Sequence, residues 1–137
     1  MSRRRFQSIL ATLHVVDPQT EDEEHGRLKK IKYLLDHMKG VCKELFQPYQ
    51  HVSIDERMVA SKGRSGLRQY MKDKPTKWGY KLWVLADSSS AYTYDFDVYI
   101  GAEKEHSSFG LGYDVVMTLC NSLENQGYKV FFDNYYS

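Results

Sequence analysis

Asp55 sits in the run His51-Val-Ser-Ile-Asp-Glu-Arg-Met-Val59, and Asp133 closes the run Tyr128-Lys-Val-Phe-Phe-Asp133 just before Asn134. Both acids lie in the densest strand signals of the chain, and carboxylates are what a protein offers to hard cations such as Mg²⁺. Two such groups brought together could hold a divalent metal that acts on phosphate, although a two-metal phosphoryl-transfer site usually uses more than two ligands. The chain ends four residues after Asp133. Each acid also has a plain alternative, a polar strand residue for Asp55 and a turn residue for Asp133.

The second chemical feature is basic. Between Lys62 and Lys81 stand Lys62, Arg64, Arg68, Lys72, Lys74, Lys77 and Lys81 against Asp73 alone, a local balance of +6 in a chain whose net charge is +1. The remainder therefore carries −5. Tyr70, Trp78 and Tyr80 are interleaved with these cations, a composition suited to phosphate contact and base stacking. A solvated basic face accounts for the charge equally well.

Other chemistries find less support. Cys42 and Cys120 are far apart, each within an apolar helical pattern, which favours free thiols over a disulfide. His14, His25, His37, His51 and His106 lack zinc-ligand spacing. No apolar run approaches the roughly 20 residues needed to cross a bilayer, and nothing resembles a secretory signal. A soluble intracellular protein without membrane contact is expected.

The elements that must position the acids can be read from periodicity. The length, 137 residues with 42% hydrophobic and 14% aromatic content, suits one compact domain. Ser2 is a candidate N-cap for a short helix bearing Phe6, Ile9, Leu10 and Leu13, stopped by Asp17-Pro18. The leading Arg3-Arg4-Arg5 opposes the helix dipole and calls for solvent or an anion. Residues 18 to 26 form an acidic linker, expected to be a mobile surface connection. From about Arg27 to Phe46, the stripe Leu28, Ile31, Leu34, Leu35, Met38, Val41, Cys42 and Leu45 predicts a long amphipathic helix that packs on the core and exits at Pro48.

Beyond residue 50 the period changes to two. Val52, Ile54 and Met58 alternate with Ser53, Asp55 and Arg57; Lys81 to Ala86 is a second strand, and Asp87 to Ala91 a turn. Tyr92, Tyr94, Phe96, Val98 and Ile100 should share one face of a third strand, forming a hairpin with the second. Val115, Val116, Leu119, Cys120 and Leu123 outline a helix ended by Asn125 to Gly127, and Val130-Phe131-Phe132 reads as a short buried strand. Three strands, a helix and a fourth strand, with acids on the first and last, are the beginning of a ribonuclease-H-like α+β arrangement. There the first and fourth strands are neighbours, which would bring Asp55 and Asp133 together across 78 positions. Glu56 points to the opposite face and is expected to be structural or solvated.

Taken in order, the motifs resemble the piggyBac transposase family. They are Ser53-Ile-Asp-Glu56, Lys62-Gly-Arg64, Gln69-Tyr70, Lys74-Pro75, Lys77-Trp-Gly-Tyr-Lys81, Trp83-Val-Leu-Ala-Asp87, Tyr94-Asp-Phe96, Leu111-Gly112, Val115-Val116 and Phe131-Phe-Asp-Asn134. The opening Met1 to Leu10, with Leu13-His14 and Asp17, resembles the helical segment preceding that family's core. The resemblance covers essentially the whole chain. It implies a helical segment over 1–50 and, over 51–137, the first part of an incomplete ribonuclease-H-like catalytic core of the DDE/DDD transposase type.

It also implies metal-dependent cut-and-paste transposition at TTAA targets. Asp55 and Asp133 match the first two of three metal-holding, catalytic aspartates, with Mg²⁺ or Mn²⁺ as the cofactor of the complete site. The third aspartate, an insertion domain and a cysteine-rich region belong to parts of the family not matched here, so the chain as written is expected to be catalytically incompetent. Lys62, Arg64, Arg68, Lys74 and Lys77 would contact the backbone of double-stranded DNA, while Trp78, Trp83 and Tyr80 are expected to pack the sheet. A homodimeric full-length protein and a nuclear location follow from the same resemblance. A domesticated DNA-binding or interaction module without catalysis is the alternative. Two departures from the family pattern stand out: Ala91 where glycine is frequent, and Tyr135-Tyr136 in place of a phenylalanine pair.

Overall fold

The computed structural model describes residues 1–17, 26–101 and 107–134. Residues 18–25 of the acidic linker, His25 among them, lie outside these, as do His106 and Tyr135-Tyr136. Met1–Met38 and Lys39–Ser137 form two compact units. No helix among the described residues is long and apolar enough to cross a membrane.

In the first unit, helix α1 spans Arg3–Thr12. Ser2 caps it in extended backbone, its hydroxyl accepting from the Arg5 amide at 3.3 Å. The cap satisfies one orphan N–H of a first turn made of three arginines and no acid. Helix α2 spans Lys32–Leu45 and crosses from the first unit into the second.

None of the α2 residues is buried, and Ile31, Leu34, Met38 and Leu45 of its stripe are exposed. Leu28, Leu35, Val41 and Cys42 of the stripe are half-buried. What the helix gives the second unit is polar. Lys39 reaches Asp97 at 3.2 Å, Lys43 reaches Asp95 at 2.7 Å, and the Cys42 carbonyl accepts from the Tyr92 hydroxyl at 3.1 Å. Phe46 adds a ring contact to Tyr92, 4.6 Å between centroids.

The second unit is built on a five-stranded sheet. Strand β1 (His51–Ala60) runs antiparallel to β3 (Trp78–Asp87), paired from Val52↔Asp87 to Ala60↔Gly79. On its other side β3 pairs with β2 (Gln69–Tyr70), which the sequence reading did not separate from the loop, and with β4 (Thr93–Val98). Helix α3 (Leu111–Cys120) then leads through a tight turn, Asn121–Leu123, to β5 (Lys129–Phe131), parallel to β1. Asn125 and Gly127, with φ of 59° and 80°, make the left-handed bend between them.

The alternation in β1 divides the sheet into two faces. Val52 and Ile54 join Trp83, Leu85 and Tyr94 beneath Val115, Leu119 and Leu123. Side chains of this size contribute about 1.5–3 kcal/mol each when fully buried. The opposite face carries Ser53, Asp55 and Arg57.

Strand β4 departs from the predicted alternation. A register shift lies where Leu85 pairs with Asp95 and Ala86 with Thr93, and Tyr94, the extra residue, joins the α3 face while Phe96 and Val98 pair with Val84 and Leu82 on the other. A bulge of this kind leaves one residue without a ladder partner and so turns the alternation over. Nor is β5 buried as predicted. It pairs with β1 alone among the described residues, and Phe131 is exposed.

The β3–β4 turn is tied by Asp87, which is fully buried. Burial alone would raise its pKa. Hydrogen bonds from the Ser89 hydroxyl, the Ser90 amide and hydroxyl and the Tyr49 amide outweigh that effect and hold the carboxyl well below the usual range. A depressed native pKa gives stability that is complete above the unfolded value near 4 and is lost as pH falls through the native one. The wild type should therefore weaken steadily below about pH 4, and Asp87→Asn, already weaker at neutral pH, should lose this part of the acid slope. Urea midpoints at pH 7, 4 and 2.5 check it; parallel slopes in the two proteins would refute it.

Inside this turn Ala91 adopts φ 58°, a left-handed conformation that costs a non-glycine residue about 1–2 kcal/mol. The glycine frequent at this position in the resembling family would relieve that strain. The predicted thiols are both free and half-buried. Burial raises the Cys120 pKa, and the nearby Glu124 and Asp95 carboxylates raise it further.

Candidate metal centre and nucleic-acid interface

Asp55 is held near the middle of β1, opposite Val84 of β3. It is exposed, and its Oδ1 accepts from the Glu56 amide at 2.6 Å. That bond fixes the carboxylate against its own strand. The neighbouring ladder pairs His51 with Lys129, Val52 with Val130 and Ser53 with Phe131, a constant offset of 78. Continued by two positions, the same offset runs from Asp55 to Asp133.

Strand β5 ends at Phe131, and Asp133 follows it in exposed chain. Paired strands lie about 4.8 Å apart, but Asp133 stands beyond the end of β5, outside the ladder that spacing describes. Both donors are hard oxygens, the type Mg²⁺ and Mn²⁺ take. As a ligand set they are partial. Among the described residues no group of three or more His, Cys, Asp or Glu side chains could hold a metal ion.

Glu56 faces away from Asp55, as expected, and is structural. Its carboxylate takes Lys81 Nζ at 2.6 Å and Lys74 Nζ at 3.8 Å, with 14% of the side chain exposed. Lys81 itself is buried and lies 3.8 Å from the centroid of the Trp83 ring.

This pairing divides the basic segment. Lys62, Arg64, Lys72 and Lys77 are exposed, whereas Lys81 and Lys74 spend their charge on Glu56. Arg68 lies over Trp78, with its guanidinium carbon 4.5 Å from the ring centroid.

Of the three aromatics expected to pack the sheet, Trp83 does so and Tyr80 is half-buried. Trp78 differs, being 50% exposed and 4.8 Å from the ring of Tyr70, its cross-strand partner. The sequence signal for this contact was present, since Tyr70 and Trp78 bracket a Lys72 to Lys77 loop centred on Pro75. The loop closes with the Met71 amide donating to the Lys77 carbonyl at 2.8 Å.

Comparison with known proteins agrees with this architecture. A family model described as transposase IS4 matches residues 1–137. Human piggyBac transposable element-derived protein 3 is 29% identical over 142 aligned positions, covering 100% of this chain and 24% of its own length. Human piggyBac transposable element-derived protein 2 is 28% identical, covering 98% of this chain and 23% of its length. The chain thus spans about a quarter of these relatives. Among solved structures, the cryo-EM structure of a piggyBac transposase synaptic complex with hairpin DNA superposes with a TM-score of 0.80 at 23% identity, over 96% of this chain and 33% of that one. That likeness carries the ribonuclease-H-like fold expected from the strand order. With the family model matched from end to end, the chain belongs to the transposase IS4 family, and along its whole length it is similar to piggyBac-derived proteins.

Proposed function

We propose that this fragment supplies two of the metal-holding carboxylates of a DNA transposase, Asp55 and Asp133, together with part of its DNA-contacting surface. The observation that carries the reading is the β1–β5 ladder, whose constant offset of 78, if extended two positions past Phe131, would set Asp55 opposite Asp133. Divalent cations bound there would supply charge stabilisation to an in-line displacement at phosphate. The two aspartates would hold them, with further ligation from elsewhere in a longer protein. Lys62, Arg64 and Lys77, exposed on the basic segment, would neutralise duplex phosphates, with Arg68 and Lys74 contributing once their contacts to Trp78 and Glu56 are shared. Support for DNA as the partner comes from the solved relative, described as a complex with hairpin DNA. A nuclear location and a homodimeric full-length protein belong to the same proposal.

A partial site binds weakly, so the test must detect weak binding. Mn²⁺ titrated into the isotopically labelled chain should broaden the amide resonances around Asp55 and Asp133 first, and Asp55→Asn should reduce that selective broadening about tenfold or more. Broadening that ignores the substitution sinks the metal proposal. The human relatives, described as transposable element-derived, support a second reading in which the fold binds DNA without chemistry. Basic-segment binding that survives alongside a null Mn²⁺ result would favour it.

A further inference from the structure

We infer that Tyr70 and Trp78 form a stacking platform for unpaired nucleotides of a DNA strand, on the sheet face that carries Asp55. Their rings lie 4.8 Å apart, inclined at 47°, and both residues are about half exposed, 51% and 50%. Arg68 closes the stack from one side, 4.5 Å from the Trp78 ring. The pair stands at the edge of the sheet, on the two-residue strand β2 and the start of β3. It contrasts with Trp83 five residues later, 2% exposed in the core.

Register places the platform. Trp78 has the strand parity of Tyr80, Leu82 and Val84, and Val84 is the partner of Asp55, so all of them share the face opposite α3. Six residues separate Trp78 from Val84, about 20 Å along the strand. The exposed cations Lys62, Arg64, Lys72 and Lys77 belong to the segments flanking β2 and leading into β3. Phosphates tracked by these cations would bring bases over the rings.

The occupant must be unpaired. A duplex shows a protein only phosphates and groove edges, because its base faces are stacked on one another, whereas aromatic platforms beside basic grooves take up single strands with little regard to sequence. Geometry also keeps the platform in place. The Tyr70↔Trp78 and Gln69↔Gly79 pairs fix β2 on β3, and the Met71 to Lys77 hydrogen bond closes the loop above them.

This inference rests on the DNA reading above and goes further in naming the strand state. The two tryptophans make it measurable, since Trp78 is accessible to a ligand and Trp83 is not. Oligodeoxythymidylate titrated at fixed salt should quench the emission saturably, and Trp78→Phe should remove the quench. Tyr70→Ala should weaken oligodeoxythymidylate binding about tenfold while leaving duplex affinity within about twofold, and Tyr70→Phe should restore it. Lys77→Glu should weaken both and lower the salt slope. Duplex binding without a saturable quench, or equal losses on both DNAs in Tyr70→Ala, overturns the platform alone. Failure to bind either DNA overturns the DNA reading with it.

Discussion

Glu56→Ala should destabilise the second unit by about 3 kcal/mol, even though Glu56 lies one residue from a proposed metal ligand and its side chain faces away from that ligand. Its carboxylate and the Lys81 ammonium are 2.6 Å apart, with 14% and 9% of their side chains exposed. Removing Glu56 takes its nearest carboxylate from an ammonium that is almost wholly buried. The Trp83 ring 3.8 Å from Lys81 Nζ, and the Tyr99 ring at 5.4 Å, return part of the loss through the attraction of a cation to an aromatic face. They cannot accept a charge-assisted hydrogen bond.

Lys81→Met should cost less, about 2 kcal/mol, because Lys74 already stands 3.8 Å from Glu56 and can close on it. Replacing both, Glu56→Leu with Lys81→Met, should recover most of the stability, since a well-packed apolar pair often equals or exceeds a buried ion pair. Urea melts of the wild type, Glu56→Ala, the singles Glu56→Leu and Lys81→Met, and their double variant decide it. Single losses below about 1 kcal/mol, or a double variant whose loss equals the sum of the singles, would show that the pair is not coupled.

This pair also shows where sequence reading reached its limit. Strand parity put Glu56 on the face opposite Asp55, and the structure agrees, because a period of two follows from backbone geometry alone. Parity could not say which lysine would answer Glu56. Lys81 is 25 positions away and was counted among seven cations available to a ligand, but the β1–β3 register places it beside Met58, one strand over from Glu56. Cross-strand partners depend on register, which is a property of the whole sheet.

The strand order was legible because the period of two and the helix before the last strand are written in residue types, and the parallel β1–β5 pairing follows that order. The ladder itself ends at Ser53 and Phe131, two positions before either acid. The errors have a common physical source. The stripe read as one long helix from Arg27 is broken near its start, a short turn at Gly26–Leu28 preceding α2 at Lys32, and a 3.6-residue period does not register such a break. In β4 a single bulged residue, Tyr94, moved to the α3 face and separated itself from Phe96 and Val98, and no residue type in the strand announces it. The exposed Tyr70–Trp78 pair was missed for a similar reason, since strand β2 is only two residues long.

Gly79→Ala should cost at least about 2 kcal/mol, and the loss should be localised where β1 and β3 end. A Cβ added at Gly79 would stand 2.2 Å from the Val59 carbonyl oxygen, 2.8 Å from its carbon and 3.2 Å from the Ala60 Cα. The atoms met are backbone, so no side-chain rotation relieves the clash. Two responses remain. Strand β1 can shift bodily against β3, which would disturb Val52 and Ile54 in the core, or its last residues can peel away from Gly79. Peeling is the smaller loss, because Val59 and Ala60 are exposed and the final contact, the Ser61 amide to the Trp78 carbonyl, is a long one at 3.4 Å. Amide exchange should therefore accelerate at Val59 and Ser61 while Ile54 keeps its protection, and the substitution should loosen the Tyr70–Trp78 platform, since Gln69 pairs with Gly79 on the other side. If stability and exchange at Ser61 are both unchanged, the close approach of the two backbones at Gly79 is wrong, and with it the rigid support assigned to the platform.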